Sequence, residues 1–311
     1  MQVESNIVQD YAADPAKLSL NWFDDDDEMA GGDSIVAQGY SAVVDYLVGV
    51  VKSKGGKIAL GAPVTAITYN SGGVTLTLAR PRTATFLALL APQIGAEVTA
   101  GGTEYAAPFA IVTLPLGVLK AKTVKFTPKL PGAKANAIAK LGMGTLNKVV
   151  LQFPPASSWP DGNWFERMPL QSDKGRWREF FSLRTITRAA GAEQPIIVAF
   201  NAGSPAEYPA STSDAALVTA AVNTLRAMFG AANIPEPVQT WVTRWHSDPY
   251  SFGSYSSVQP GAKGRERADL AATTAGRLFW AGEATHQRVP ATVQGAWLSG
   301  AAAAAAAAAA F

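Results

Sequence analysis

The chain contains no cysteine among its 311 residues. This excludes disulfides, thiolate metal sites, a cysteine nucleophile and cysteinyl attachment of a prosthetic group. Histidine is almost as scarce, with only His246 and His286 present, so a histidine-rich metal site is excluded as well. Charged residues make up 16% of the chain and leave a net charge of +2. Lysine and arginine are spread along the sequence without interleaved aromatics, and no nucleic-acid surface is expected. Long hydrophobic runs are also missing. Outside the alanine tract at 301–310, the longest is Phe86-Leu87-Ala88-Leu89-Leu90-Ala91, far too short to span a bilayer. The first residues show no basic region followed by an apolar core. No secretory signal or membrane association is therefore expected, and the default location is cytoplasmic.

With 48% hydrophobic residues, the chain can bury a substantial core, and its length suggests about two domains. Ile35, Val36, Tyr40, Val43, Val44, Leu47 and Val51 recur at helical spacing, which predicts one amphipathic helix ending at Gly55-Gly56. Strands are predicted at 57–60, 64–69 and 74–78, the last two joined as a hairpin through Asn70-Ser71-Gly72-Gly73. Residues 80–101 form a long excursion, and Phe109 to Thr113 reads as a strand buried on both faces. From about Lys120 the chain becomes richer in aromatics, and Ser213 is placed to cap an amphipathic helix running to Phe229. Ala133 to Leu141 reads as a helix that Gly142-Met143-Gly144 stops. The fold class is α/β, in a mixed α+β form.

Three segments could carry chemistry. Alternation places Leu146, Lys148 and Val150 on one face of a strand and Asn147, Val149 and Leu151 on the other, with both faces apolar enough to be largely buried. A lysine there either serves a site or reaches along the strand to solvent. At the far end, Leu278-Phe279-Trp280-Ala281 reads as a buried strand followed by Gly282 and Glu283. Thr292 then opens a helix whose unpaired first-turn N–H groups suit an anionic or carbonyl-rich ligand. The alanine tract extends that helix. The acidic run Asp24 to Glu28 lacks the ligand spacing of a calcium loop. His246 and Asp248 could form an acid–base pair, but no Gly-x-Ser-x-Gly elbow supplies a nucleophile.

Thr113-Leu114-Pro115-Leu116-Gly117-Val118-Leu119-Lys120 and Leu141-Gly142-Met143-Gly144-Thr145-Leu146-Asn147-Lys148-Val149-Val150 make a more specific pattern. With Gly31-Gly32-Asp33, Gly39-Tyr40, Trp245, Gly282-Glu283-Ala284-Thr285 and Pro290-Ala291-Thr292, they resemble the flavin-containing amine oxidases, on the polyamine oxidase and lysine-specific histone demethylase branch. The likeness runs in family order from about Gly31 to Gly300. It implies an FAD-binding, Rossmann-like domain interleaved with a substrate domain of mixed sheet and helices. The expected division is 1–30 and 120–270 for substrate, 31–119 and 271–311 for FAD. The glycine-rich strand–turn–helix that holds the FAD pyrophosphate in that family has no counterpart here. The resemblance thus covers about the C-terminal two thirds of a member and implies a missing N-terminal FAD-binding half.

The resemblance assigns Lys148 to the catalytic position beside flavin N5, where a cation assists reaction of the reduced flavin with oxygen. It gives Val64 a backbone contact to adenine and Glu283, after Gly282, the ribityl and pyrophosphate portion. Thr292 and Val293 are assigned to the flavin pyrimidine carbonyls, and Trp245 to packing on the isoalloxazine. The implied reaction is oxidation of a small-molecule amine, with O2 as acceptor and hydrogen peroxide as product. The family often places a tyrosine at or just before the stretch matching Val289 to Thr292, but none occurs here after Tyr255, so the amine stays open. Two alternatives also stand. One is a non-catalytic remnant or interaction domain without flavin. The other is a flavin oxidase of an amino acid, whose carboxylate would need an arginine such as Arg176, Arg178, Arg184 or Arg188.

Overall fold

A computed structural model describes residues 4–24, 27, 31, 35–36, 38–79, 88–90, 98–99, 102–168 and 175–310. Gly32, Asp33, most of the acidic run and most of the 80–101 excursion lie outside the described residues. The chain divides into two compact units, one of residues 1–23 and 142–261, the other of residues 24–141 and 262–311.

In chain order, residues 24–141 carry helix α1 (Ser41–Ser53) and strands β1 (Lys57–Ala59), β2 (Val64–Asn70), β3 (Gly73–Leu78), β4 (Ala88–Leu90), β5 (Val98–Thr99), β6 (Gly102–Ala107) and β7 (Ala110–Val112). Helix α2 (Leu116–Ala121), strand β8 (Lys125–Thr127) and helix α3 (Gly132–Lys140) complete that stretch. Next come β9 (Leu141–Met143), β10 (Leu146–Gln152), β11 (Trp164–Glu166), β12 (Glu179–Ser182), α4 (Arg184–Ala189), β13 (Ile196–Ala202), α5 (Asp214–Phe229), β14 (Gln239–Val242) and β15 (Ser256–Val258). Residues 262–311 return with α6 (Glu266–Ala271), β16 (Leu278–Trp280) and α7 (Val293–Ala309).

The 142–261 unit is built on an antiparallel sheet in the order β11-β12-β13-β10-β14. Strand β10 alternates between half-buried and buried residues. Val149 and Leu151 turn inward against Phe180, Ile197 and Ala199, and α5 covers them with Leu217, Val222 and Leu225. Ser213 caps α5 by accepting from the Ala216 N–H at 3.2 Å, and Gly230 ends it at φ 91°. The opposite face, with Lys148 and Val150, is half-buried. The expectation of two buried faces on this strand is corrected on that point, because α5 packs on one side only.

In the other unit, β5-β6-β3-β2-β8 form a mixed sheet in which only the β2–β8 pairing is parallel. The β2–β3 hairpin turns as expected, with Asn70 Oδ1 accepting from the Gly72 N–H at 2.7 Å. Strands β7 and β16 pair in parallel, and α7 packs on them through small residues. Ala303 meets Phe279 and Ala281, while Phe109 and Ala307 lie at the edge of that cluster. Strand β7 departs from the sequence expectation, since Ile111 is 41% exposed and only Val112 is buried. The first helix departs too: it begins at Ser41, because Gly39 at φ 79° breaks the register that Ile35 and Val36 had suggested. Among the described residues, no helix is long and apolar enough to cross a membrane.

Candidate active site

The expected site residues fall into two constellations, one in each unit. Lys148 and Trp245 belong to the 142–261 unit, whereas Val64, Gly282, Glu283, Thr292 and Val293 belong to the other.

Lys148 stands mid-strand on the half-buried face of β10. Its side chain lies over the Phe200 ring, with Nζ 5.9 Å from the centroid. No hydrogen bond or ion pair with a described residue engages its ammonium. Burial lowers its pKa from the ordinary value of 10.5, since removing water disfavours the charged form. Its own N–H donates to Thr243 Oγ1 at 2.7 Å. The residue behind it, Asn147, is fully buried, and its Oδ1 accepts from the Trp245 N–H at 2.9 Å. Lys148 and Trp245 are therefore tied together through Asn147 and Thr243. Neither intermediary was singled out from the sequence. The available signal was an asparagine on the inward face of an apolar strand, where an amide needs several partners.

His246 is held in the same network. Its Nδ1 lies 3.2 Å from Asn147 Nδ2 and its Nε2 3.1 Å from the Tyr208 carbonyl. Asp248 instead accepts from the Tyr250 N–H, so His246 and Asp248 do not form the acid–base pair that their proximity in sequence allows.

In the second unit, Gly282 follows β16 at φ 127°, a conformation suited to glycine. Its N–H donates to Ser299 Oγ at 3.0 Å, which fastens the strand end to the second turn of α7. Glu283 Oε2 accepts from the Ala291 N–H at 2.7 Å, closing the loop between strand and helix. Thr292 caps α7 through the Gly295 N–H at 2.9 Å, and its hydroxyl donates to the Val289 carbonyl at 2.9 Å. Gly295 is required there, since an added Cβ would come within 2.0 Å of Val289 O. Val293 opens the helix and is exposed. Val64 stands at the start of β2, where a bulge between Val64 and Ala66 interrupts pairing with β3. Ser299 was missed in the sequence, although a serine within an otherwise alanine-rich helix marks a polar contact.

This loop and helix start suit a large anionic cofactor with carbonyl groups. An added Cβ on Gly282 meets nothing within 4 Å, so open space flanks that backbone. A cavity of about 550 Å³ in this unit is walled by Phe279, Trp280, Thr285, His286, Arg288 and Ser299, while Gly282, Glu283, Thr292 and Val293 are not among its lining residues. The start of the 17-residue α7 adds the positive end of a helix dipole.

Comparison with known proteins gives this arrangement a family. The profile described as "Flavin containing amine oxidoreductase" matches residues 7–308. The chain belongs to that family. It is 34% identical over 290 residues to "Lysine-specific histone demethylase 1 homolog 2" of Arabidopsis thaliana, covering 92% of this chain and 35% of that protein. To "Protein FLOWERING LOCUS D" of the same plant it is 35% identical over 290 residues, covering 92% of this chain and 33% of the relative. It thus spans about a third of the length of these curated relatives. Among solved structures, cyclohexylamine oxidase from Brevibacterium oxydans superposes with TM-score 0.56 at 21% identity, over 79% of this chain and 48% of that one. Putrescine oxidase bound to putrescine gives 0.54 at 17%, over 78% and 48%. These likenesses show an amine-oxidase fold, and the family's cofactor is FAD.

Proposed function

We propose that this chain serves FAD-dependent oxidation of an amine, with residues 31–119 and 271–311 contributing to the cofactor domain and residues 1–30 and 120–270 to the substrate domain. The observation that carries the reading is Lys148, a half-buried lysine whose ammonium meets no hydrogen-bonding or ionic partner among the described residues, on a strand whose neighbouring residues anchor Trp245. Bound FAD supplies what no side chain can: it accepts a hydride equivalent from the carbon next to the amine nitrogen and returns the electrons to O2, giving hydrogen peroxide. The chain's part is to bind and orient. Glu283 and the start of α7 would hold the ribityl and pyrimidine portions, and Val64 the adenine. Trp245 would supply an aromatic face for the ring system. Lys148 places a positive charge where negative charge develops during oxygen reduction. The imine then hydrolyses to carbonyl and ammonia or amine.

The glycine-rich turn that cradles a dinucleotide pyrophosphate is not present in these 311 residues, so a further unit completes the proposed cofactor site. One relative's name describes a lysine-specific histone demethylase, and the structural neighbours are named as oxidases of putrescine and cyclohexylamine. Of the four arginines that the amino-acid alternative would draw on, two are engaged elsewhere. Arg184 is buried against Trp159 and donates to the Ser157 carbonyl, while Arg188 pairs with Asp161 and Glu193.

The test is to purify the chain with excess FAD, alone and joined to a glycine-rich βαβ unit from a family member, and to record absorbance over about 350–500 nm. The joined protein is expected to retain flavin, to bleach without air on adding an amine, and to form peroxide on re-aeration. A flavin-loaded protein that no alkylamine, arylamine, polyamine or methyl-lysine peptide bleaches would sink the reading.

A further inference from the structure

We infer that Asn147 is the positioning residue of this site: its single carboxamide fixes Trp245 and, through Thr243, the backbone of Lys148. The inference rests on the functional reading above only in what it says about turnover; the placement itself stands on the hydrogen bonds.

Asn147 is 0% exposed, and both halves of its amide are used. Oδ1 accepts from the Trp245 N–H at 2.9 Å and from Thr243 Oγ1 at 3.0 Å. Nδ2 donates to the Ala206 carbonyl at 2.9 Å and faces His246 Nδ1 at 3.2 Å. A backbone N–H can only donate and a backbone carbonyl can only accept, so these two contacts decide which end of the amide is oxygen. The remaining Nδ2 proton points at His246 Nδ1, which must accept. The ring proton then resides on Nε2 and donates to the Tyr208 carbonyl at 3.1 Å. The arrangement is closed, with every donor matched.

Its consequence is positional. Asn147 precedes Lys148 on β10, so the same backbone that carries the cation outward carries the amide inward. The amide grips residues 243–246, a segment that follows β14, at three points: Thr243, the Trp245 N–H and the His246 ring. Thr243 returns a second grip, its Oγ1 accepting the Lys148 N–H at 2.7 Å and its own N–H donating to the Lys148 carbonyl at 3.0 Å. The backbone of Trp245 is thereby set relative to that of Lys148 by two links, from which the indole projects, and neither link uses the Lys148 side chain. No other residue type satisfies these demands. Aspartate has no donors for Ala206 and His246, leucine has neither half, and glutamine carries the amide one methylene too far.

The experiment uses Asn147→Asp, Asn147→Leu and Thr243→Val in the full chain. Tryptophan emission and acrylamide quenching are read as differences from Trp245→Phe, which isolates Trp245 among the eight tryptophans. Exchange of the Lys148 amide is followed in parallel. Asn147→Leu is expected to shift the Trp245 emission to longer wavelength and to increase its quenching. Asn147→Asp, which keeps the oxygen acceptor, is expected to leave both closer to the parent protein. Thr243→Val is expected to speed Lys148 amide exchange while Trp245 emission stays unchanged. In flavin-loaded protein, Asn147→Leu is expected to lower kcat roughly 10- to 100-fold with KM little changed, as a misplacement of about 1 Å does. A folded Asn147→Leu protein with parental Trp245 emission and quenching overturns the proposal. Should that variant not fold, Thr243→Val decides: parental Lys148 exchange overturns it. Because emission and exchange need no flavin, they stand or fall separately from any failure to oxidise amines.

Discussion

Lys134 and Lys148 are lysines of one chain placed under opposite demands. Lys134 is 2% exposed, and its Nζ donates to the carbonyls of Asp269 and Leu270 while lying 4.2 Å from the centre of the Trp280 ring. It closes structure, whereas the Lys148 ammonium has no carbonyl partner among the described residues and lies over the Phe200 ring. Burial outweighs the attraction of Asp269 and lowers the Lys134 pKa from 10.5 to about 7. Between those two values the unfolded chain binds a proton that the folded chain does not. Folding stability should therefore rise with pH across that window, by up to about 1.4 kcal/mol per pH unit from this residue. Below the window both states are protonated, so the cost of burying the charge is present in full. Urea unfolding of the parent and of Lys134→Met at several pH values between the two limits checks this. The difference between the two proteins should grow with pH in the parent's favour, and parallel curves would contradict it. Strand alternation made Lys148 legible in the sequence. Asn147 was not legible as a positioning residue, because its partners Ala206 and His246 lie 59 and 99 positions away.

At the scale of the element, the helix starts that were readable were those with a hydroxyl before an apolar period. Ser213 and Thr292 both cap as their positions suggested. Helix ends closed by distant side chains were not readable. Lys120, on α2, donates to the carbonyls of Ile138, Ala139 and Leu141 at the end of α3, and Lys134, on α3, closes α6 in the same way. Each lysine satisfies carbonyls that a helix end leaves over, and only the tertiary fold reveals which helix it will serve. The start of α7 joins both kinds of information. Thr292 is a local cap, while Ser299 about two turns further on reaches back to Gly282. Replacing Thr292 by alanine should cost about 1 kcal/mol of stability in urea unfolding, and serine should recover most of it. The same alanine variant should weaken retention of FAD in the completed protein, since the first turn of α7 would fray where the proposed cofactor meets it. Unchanged stability in Thr292→Ala would mean that the Gly295–Val289 packing alone holds the turn.

At the scale of the whole chain, apolar burial is distributed unevenly. One large cluster, from Val149 and Phe153 through Phe180 to Leu225 and Ile234, joins the antiparallel sheet to α5. No residue of α1 is buried, although Val43, Val44, Leu47, Val48, Val50 and Val51 make it apolar around most of its circumference. A helix with that composition normally lies inside a fold. The hydrophobic period told correctly that α1 is a helix, but not that its side chains would remain uncovered, because periodicity reports a face and not what meets it. Local opening follows burial more closely than secondary structure does. Amide exchange should consequently be slowest in β10, β13 and α5 and much faster in α1, even though α1 has a full helical ladder. Substitution should separate them in the same order. Leu225→Ala, at a position with 0% exposure, should cost about 2–5 kcal/mol, whereas Val44→Lys or Val50→Lys should change stability by no more than about 0.5 kcal/mol. Exchange in α1 as slow as in α5, together with a large cost for Val44→Lys, would show that α1 is covered in solution and that its exposure is not a property of the chain on its own.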